Sequence, residues 1–252
     1  MEVINYMKEH LWDGNIDCGW EDLEEKVVDT SDRFASAMLE IASHSPFDIT
    51  KALINKETMD RFTSLSRVLS EQISMGYYYQ YEDIENKNDN GYRLNSWILL
   101  GSLTESALQM FLMFYIDDYQ RSKWQQWEEM DIYKVKNPII DSINNLVTSN
   151  IITAAQGRSL KNAIKEKIKE HTVEHPVQKV MLDEIIRYYS SINLLDDDEL
   201  LTLKSIQSNR NGIHSFEERT IGTWFDLQYC VRFWCYLLEW ILEKLADIPD
   251  YS

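Results

Sequence analysis

The stretch Tyr92-Arg-Leu-Asn-Ser-Trp97-Ile-Leu-Leu-Gly101-Ser-Leu-Thr-Glu105-Ser-Ala-Leu-Gln109-Met-Phe-Leu-Met-Phe-Tyr-Ile116-Asp-Asp-Tyr119 decides the fold class. It is the longest apolar helix candidate in the chain and is hydrophobic nearly all round, which places it at the centre of a bundle rather than on a surface. Its polar residues, Ser102, Thr104, Glu105, Ser106 and Gln109, argue against a bilayer span, because a carboxylate in mid-span is costly. A buried core helix is the expectation, with no membrane association.

The natural partner of this helix lies at the other end of the chain. From Ile221 to Leu245 the residues Trp224, Phe225, Leu227, Val231, Trp234, Cys235, Leu238, Ile241, Leu242 and Leu245 form a wide apolar stripe that must pack in the core. Helical periodicity also predicts segments over Trp20–Ser43 and Ile49–Met75, a new helix starting at Asn137-Pro138, and others over Thr153–Lys169, Pro176–Ser191 and Asp196–Asn209. The last of these opens on acids, as a helix N-terminus favours. Turn chemistry at Asp13-Gly14-Asn15 and Cys18-Gly19 marks an irregular lead-in, and the polar run after Tyr81 ends at Gly91. No alternating strand pattern or repeat period occurs, so the expected architecture is an all-α helical bundle, residues 92–252, preceded by an N-terminal helical extension, residues 1–91.

Composition agrees with this reading. The 252 residues are 44% hydrophobic and 12% aromatic, with only 8 Gly and 4 Pro, which excludes disordered, collagen-like and turn-rich classes. A formal charge of −17 opposes a general nucleic-acid binder, since counterion displacement needs basic surface. A local basic strip lies between Arg158 and Lys179, where Lys161, Lys165, Lys167 and Lys169 outnumber the acids; it reads as a solvated helix face, with an RNA-facing strip as the alternative. The acidic N-terminal third suits either of two roles, screening the cleft or binding a basic partner. Three cysteines, and a start without the features of a signal peptide, point to a reducing cytoplasm.

Two constellations carry chemistry. His171-Thr-Val-Glu174-His175 has the H-x-x-E-H order of inverted zinc peptidases, but Pro176 disfavours the helix that motif needs, so a frayed helix end is the better reading and no metal is expected. Cys230 and Cys235 read as buried thiols, and sparse glycine leaves no phosphate-binding loop, so no cofactor is expected. The second constellation is Asn209-Arg210-Asn211-Gly212-Ile213-His214-Ser215-Phe216. On a continuing helix, Arg210 and His214 stand i,i+4 and side by side. A permanent cation able to grip phosphate and a group able to exchange a proton near neutral pH are the minimum for cleaving a phosphodiester without metal. The alternative is structural: both residues cap the preceding helix, and Asn211-Gly212 makes the turn.

At these residues the chain resembles the HEPN superfamily of all-α domains, in which an Arg-Asn…His motif lies near the start of the last core helix. The resemblance takes in Leu203 to Phe216, the apolar helix after Ile221, and Gly101-Ser-Leu-Thr-Glu105-Ser-Ala-Leu, which is similar to an earlier core helix with an inward carboxylate. Three residues separate Arg210 from His214, fewer than is usual in that family. The resemblance implies a metal-independent endoribonuclease of the kind used in toxin–antitoxin and phage-defence systems, acting on RNA as a homodimer, with a protein partner or antitoxin. Arg210 would stabilise charge on the phosphate, His214 would act on the 2′-hydroxyl or the leaving oxygen, Asn211 would orient one of them and Glu105 would hold Arg210. Other HEPN-like domains are non-catalytic interaction or sensor modules, and that is the rival reading.

Overall fold

A computed structural model describes residues 20–81, 89–121, 132–170, 177–213 and 221–246. They contain ten α-helices: α1 (Trp20–His44), α2 (Asp48–Leu53), α3 (Lys56–Tyr81), α4 (Asp89–Phe114), α5 (Ile116–Arg121), α6 (Ile132–Thr148), α7 (Ala154–Glu170), α8 (Leu182–Ser191), α9 (Asp197–Arg210) and α10 (Trp224–Ala246). Two 3₁₀ turns, Val177–Lys179 and Asn211–Ile213, complete them, and no strand occurs among the described residues. The all-α class follows directly. The chain divides into two compact units, one made of the residues up to Tyr115 and from Met181 onward, the other of Ile116–Val180.

In the first unit α4 is the core. It packs against α2, α3, α8, α9 and α10, while α1 lies against α3 and α10. Trp97, Leu100, Leu103, Ala107, Leu108 and Phe111 on α4 are fully buried. The helix is long and apolar enough to cross a membrane, yet 61% of its most apolar window is buried by the protein. Its polar residues are accommodated locally. The hydroxyls of Ser96, Ser102, Thr104 and Ser106 each donate to the carbonyl four residues earlier, at 2.8–2.9 Å, which removes the cost of burying an unpaired hydroxyl. Phe111 meets Tyr115, Tyr189 and Trp240 edge-on at centroid distances of 5.1, 5.9 and 5.3 Å, the geometry favoured by ring quadrupoles.

Several helix ends differ from the periodicity reading, each for a local reason. The segment expected from Ile49 to Met75 is two helices, because the Asn55 side chain accepts the Thr58 amide at 3.1 Å and starts α3 afresh. The central helix ends at Phe114, and Tyr115 forms a turn before α5. Pro138 lies inside α6 instead of starting it. The acidic start of α9 is a capping box: Asp196 Oδ1 accepts the Glu199 amide and Glu199 Oε2 accepts the Asp196 amide, both at 2.8 Å. Phe225, read as part of the core stripe of α10, is 49% exposed, because it falls beside that stripe at the first turn.

In the second unit α6 and α7 form an antiparallel pair. Asn150 takes a left-handed conformation, φ 54°, just past the end of α6, the position at which helices commonly turn out. Thr153 and Gln156 then exchange bonds in the manner of a capping box at the start of α7.

Candidate functional site

Glu105 and Arg210, 105 positions apart in sequence, meet in the first unit. Arg210 Nη1 donates to Glu105 Oε2 at 2.7 Å, with side-chain exposures of 26% and 17%. Gly101, one turn before Glu105 on α4, makes the approach possible. A Cβ there would stand 2.6 Å from Arg210 Cδ and 2.9 Å from its Cβ, so the stem of the arginine lies on bare backbone and its guanidinium arrives at the carboxylate.

The same carboxylate oxygen accepts the backbone amide of Leu182 at 2.9 Å. Leu182 opens α8, and its amide has no partner within the helix. Glu105 therefore supplies an N-terminal cap to α8 while holding the last residue of α9. Both placements suit the helix dipoles, which favour a negative charge at the first turn of α8 and a positive one at the last turn of α9.

The ion pair forms part of the wall of a cavity of about 360 Å³. Ser102, Gln207 and Asn211 add polar groups to that wall, and Ile98 and Leu182 give it an apolar side. Ser102 lies three residues before Glu105, and Gln207 three before Arg210, so each pair shares a helix face. Met181 and the Asp183 carboxylate complete the lining, so the cavity joins an apolar side to convergent polar groups, two carboxylates and one guanidinium that Glu105 already holds.

Asn211 caps α9 with αR backbone angles, φ −73° and ψ −5°. The chain then runs in a 3₁₀ turn over Asn211–Ile213, so the α-helix ends at Arg210, one residue past its expected end, and does not continue in the register that would set residue 214 at i,i+4 to Arg210. Gly212, a poor helix residue, falls within that turn. His214 lies outside the described residues, as do His171 and His175. Glu105, Arg210 and Asn211 are thus brought to one cavity.

Sequence reasoning assigned no role to Asn209. Its Oδ1 accepts the Gly222 amide at 2.6 Å and its Nδ2 donates to the Ser205 carbonyl at 2.9 Å. Trp97 Nε1 donates to the Gly222 carbonyl at 3.4 Å. The residue before Arg210 thereby ties α9 to the strand of chain that leads into α10. Backbone amides such as those of Leu182 and Gly222 carry no sequence signature, which is why these contacts were not legible.

Two buried ionisable groups lie away from this cavity, Cys230 and Glu199. Cys230 and Cys235 are both buried, and burial, reinforced by Asp226, pushes the Cys230 thiol far up. Glu199 is buried, and its Oε1 accepts the Tyr236 hydroxyl at 3.0 Å. Burial raises its carboxyl above the usual range, against the lowering effect of the Asp196 amide and the Tyr236 hydroxyl. Among the described residues no group of His, Cys, Asp and Glu is gathered for a metal ion. Comparison with protein-family models, with curated proteins and with solved structures gives no match.

Proposed function

We propose that the chain is a HEPN-like, metal-independent endoribonuclease whose site is built around the Glu105–Arg210 pair. One observation carries this reading. The pair joins two of the three stretches on which the resemblance rests, Gly101–Leu108 and Leu203–Phe216, at 2.7 Å and at the wall of a cavity.

The chemistry is an internal transesterification. The 2′-oxygen of the RNA attacks phosphorus, the bond from phosphorus to the 5′-oxygen breaks, and a 2′,3′-cyclic phosphate and a 5′-hydroxyl result. His214 takes the proton from the 2′-hydroxyl while water protonates the leaving 5′-oxygen, or delivers that proton while water takes the one from the 2′-hydroxyl. Arg210 offsets the negative charge that grows on the phosphate oxygens. Asn211 orients one of these groups, and Glu105 is a positioning residue that fixes the guanidinium. By the same resemblance the active form is a homodimer in which two motifs share a cleft, and the role is that of a toxin or phage-defence effector in the cytoplasm, held in check by a protein partner.

A second reading has its own observation. Glu105 Oε2 serves both Arg210 and the Leu182 amide, the arrangement expected of a latch among three helices in a non-catalytic interaction or sensor module.

The two readings separate in one experiment. Purified wild type and His214→Ala are incubated with mixed tRNA and with unstructured RNA in EDTA, and the fold of each is checked by circular dichroism. The nuclease reading predicts cleavage by wild type that falls by about 10²–10⁴-fold in the folded variant, the usual contribution of a general acid or base. Absence of cleavage by both proteins would overturn it and favour the module.

A further inference from the structure

Basic residues of this acidic protein are concentrated in a segment away from Glu105 and Arg210 in the sequence. Residues 132–170 hold seven basic residues against three acidic, a net of +4, whereas the rest of the chain holds 18 against 39, a net of −21. Within that segment the cations of α7 are ordered. Arg158, Lys161 and Lys165 fall within an arc of about 60° on a helix of 3.6 residues per turn, and position 169 continues the register. Glu166 stands about 110° around from the middle of that arc.

Packing explains why the arc is presented. Gly157 is the inward residue of α7, close enough to α6 that a Cβ on it would stand 2.5 Å from Val147 Cγ2. Lys161, four residues on, lies at the edge of this contact, and its Nζ donates to Asn144 Oδ1 on α6. Arg158 and Lys165 are exposed. Among the described residues none of the three cations meets a carboxylate, so their charge is not cancelled locally.

We propose that the Arg158–Lys161–Lys165 stripe of α7 is a docking surface for the phosphate backbone of RNA. The inference rests on the ribonuclease reading for the identity of the polyanion, and on charge and register for the surface. One cation per helical turn, about 5.4 Å, is on the scale of successive phosphates along one strand. Contacts of this kind set affinity and leave sequence unread. They also give an otherwise strongly acidic chain a place to capture a polyanion that the rest of its surface repels.

The test uses the full-length wild-type chain and a fluorescent 2′-O-methyl RNA oligonucleotide, which lacks the attacking hydroxyl and so is bound without being cut. Binding is measured across a salt series for wild type and for R158Q/K161Q/K165Q. A charge-matched control, K51Q/K56Q/K204Q, removes three exposed lysines of the first unit. The proposal predicts that the stripe variant loses affinity alike for every sequence, and that its log–log salt slope becomes shallower by about 2, three contacts at about 0.7 each. The control keeps the wild-type slope, and R158K/K161R/K165R restores it.

Equal losses in the stripe variant and the control would overturn the proposal in favour of a net-charge effect. Binding of anionic phospholipid vesicles or of polyglutamate as tight as that of RNA would also overturn it, because the surface would then recognise a membrane or an acidic protein. A stripe variant that binds and cleaves RNA as wild type does would sink the docking surface and leave the nuclease reading standing. Absence of both binding and cleavage in wild type would sink the nuclease reading, and this inference with it.

Discussion

Replacement of Glu105 by alanine should cost about 2–3 kcal/mol of folding stability. The carboxylate oxygen holds Arg210 Nη1 at 2.7 Å and the Leu182 amide at 2.9 Å, and both donors lose their partner together. A hydrogen bond to a charged group contributes about 1.5–3 kcal/mol, and breaking a fully buried ion pair costs about 3–5 kcal/mol. With side chains 17% and 26% exposed, water reaches the orphaned guanidinium, so the lower part of that span applies. At about 2–4 °C per kcal/mol for a chain of this size, the melting temperature should fall by about 4–12 °C. Glu105→Gln keeps an acceptor for Leu182 and should lose about half as much, since a charge-assisted bond is roughly twice as strong as a neutral one. The assay is a urea-unfolding cycle of wild type, Glu105→Ala, Arg210→Met and the double variant, with an expected coupling of about 1–2 kcal/mol. Additivity within about 0.5 kcal/mol would mean that the two side chains do not hold each other, and would remove the positioning role of Glu105.

Three further outcomes follow from the packing. Gly101→Ala should destabilise by about 1–3 kcal/mol despite the better helix propensity of alanine, because the new methyl displaces Arg210; a rise in thermal stability would show that the arginine stem yields freely. Phe111→Ala removes the centre of an aromatic cluster from a fully buried position and should cost about 3–5 kcal/mol by calorimetry or denaturant titration, with a loss under about 1 kcal/mol contradicting the core assignment. The raised Glu199 carboxyl makes a signed prediction with pH. Its contribution to stability is complete below the unfolded value, near 4.5, and is lost as pH rises through the higher folded value. Denaturation midpoints should therefore show wild type losing stability relative to Glu199→Gln from about pH 4.5 towards neutrality; a difference that is flat with pH would refute the raised value.

The fold class was legible because helical periodicity and scarce glycine and proline leave little else for such apolar segments to form. Asp196 shows how far local chemistry carries, since its acidic run marks the start of α9 to within a residue. Asn55 and Tyr115 show where it stops. A side-chain cap or a single turn residue divides a helix without disturbing the apolar pattern on either side. Pro138 misleads in the opposite sense: it reads as a first-turn residue, but the chain is already helical before it.

At the candidate site, Glu105 and Arg210 were each readable as unusual, a carboxylate in an apolar helix and a cation at a helix end. Their distance of 2.7 Å depends on the bundle bringing α4 against α9, and on Gly101 offering bare backbone to the arginine stem. Neither condition can be inferred from residue spacing, because the two helices lie a hundred residues apart.

The most direct test of the ribonuclease reading is end analysis of an RNA oligonucleotide incubated with the purified protein in EDTA, beside an all-deoxy copy of the same sequence and the folded Arg210→Ala and His214→Ala variants. The account predicts that wild type cuts the RNA to products with 2′,3′-cyclic phosphate and 5′-hydroxyl ends, leaves the deoxy copy intact, and loses this activity in both variants. An intact RNA with wild type, or cutting that persists in both variants, would contradict it.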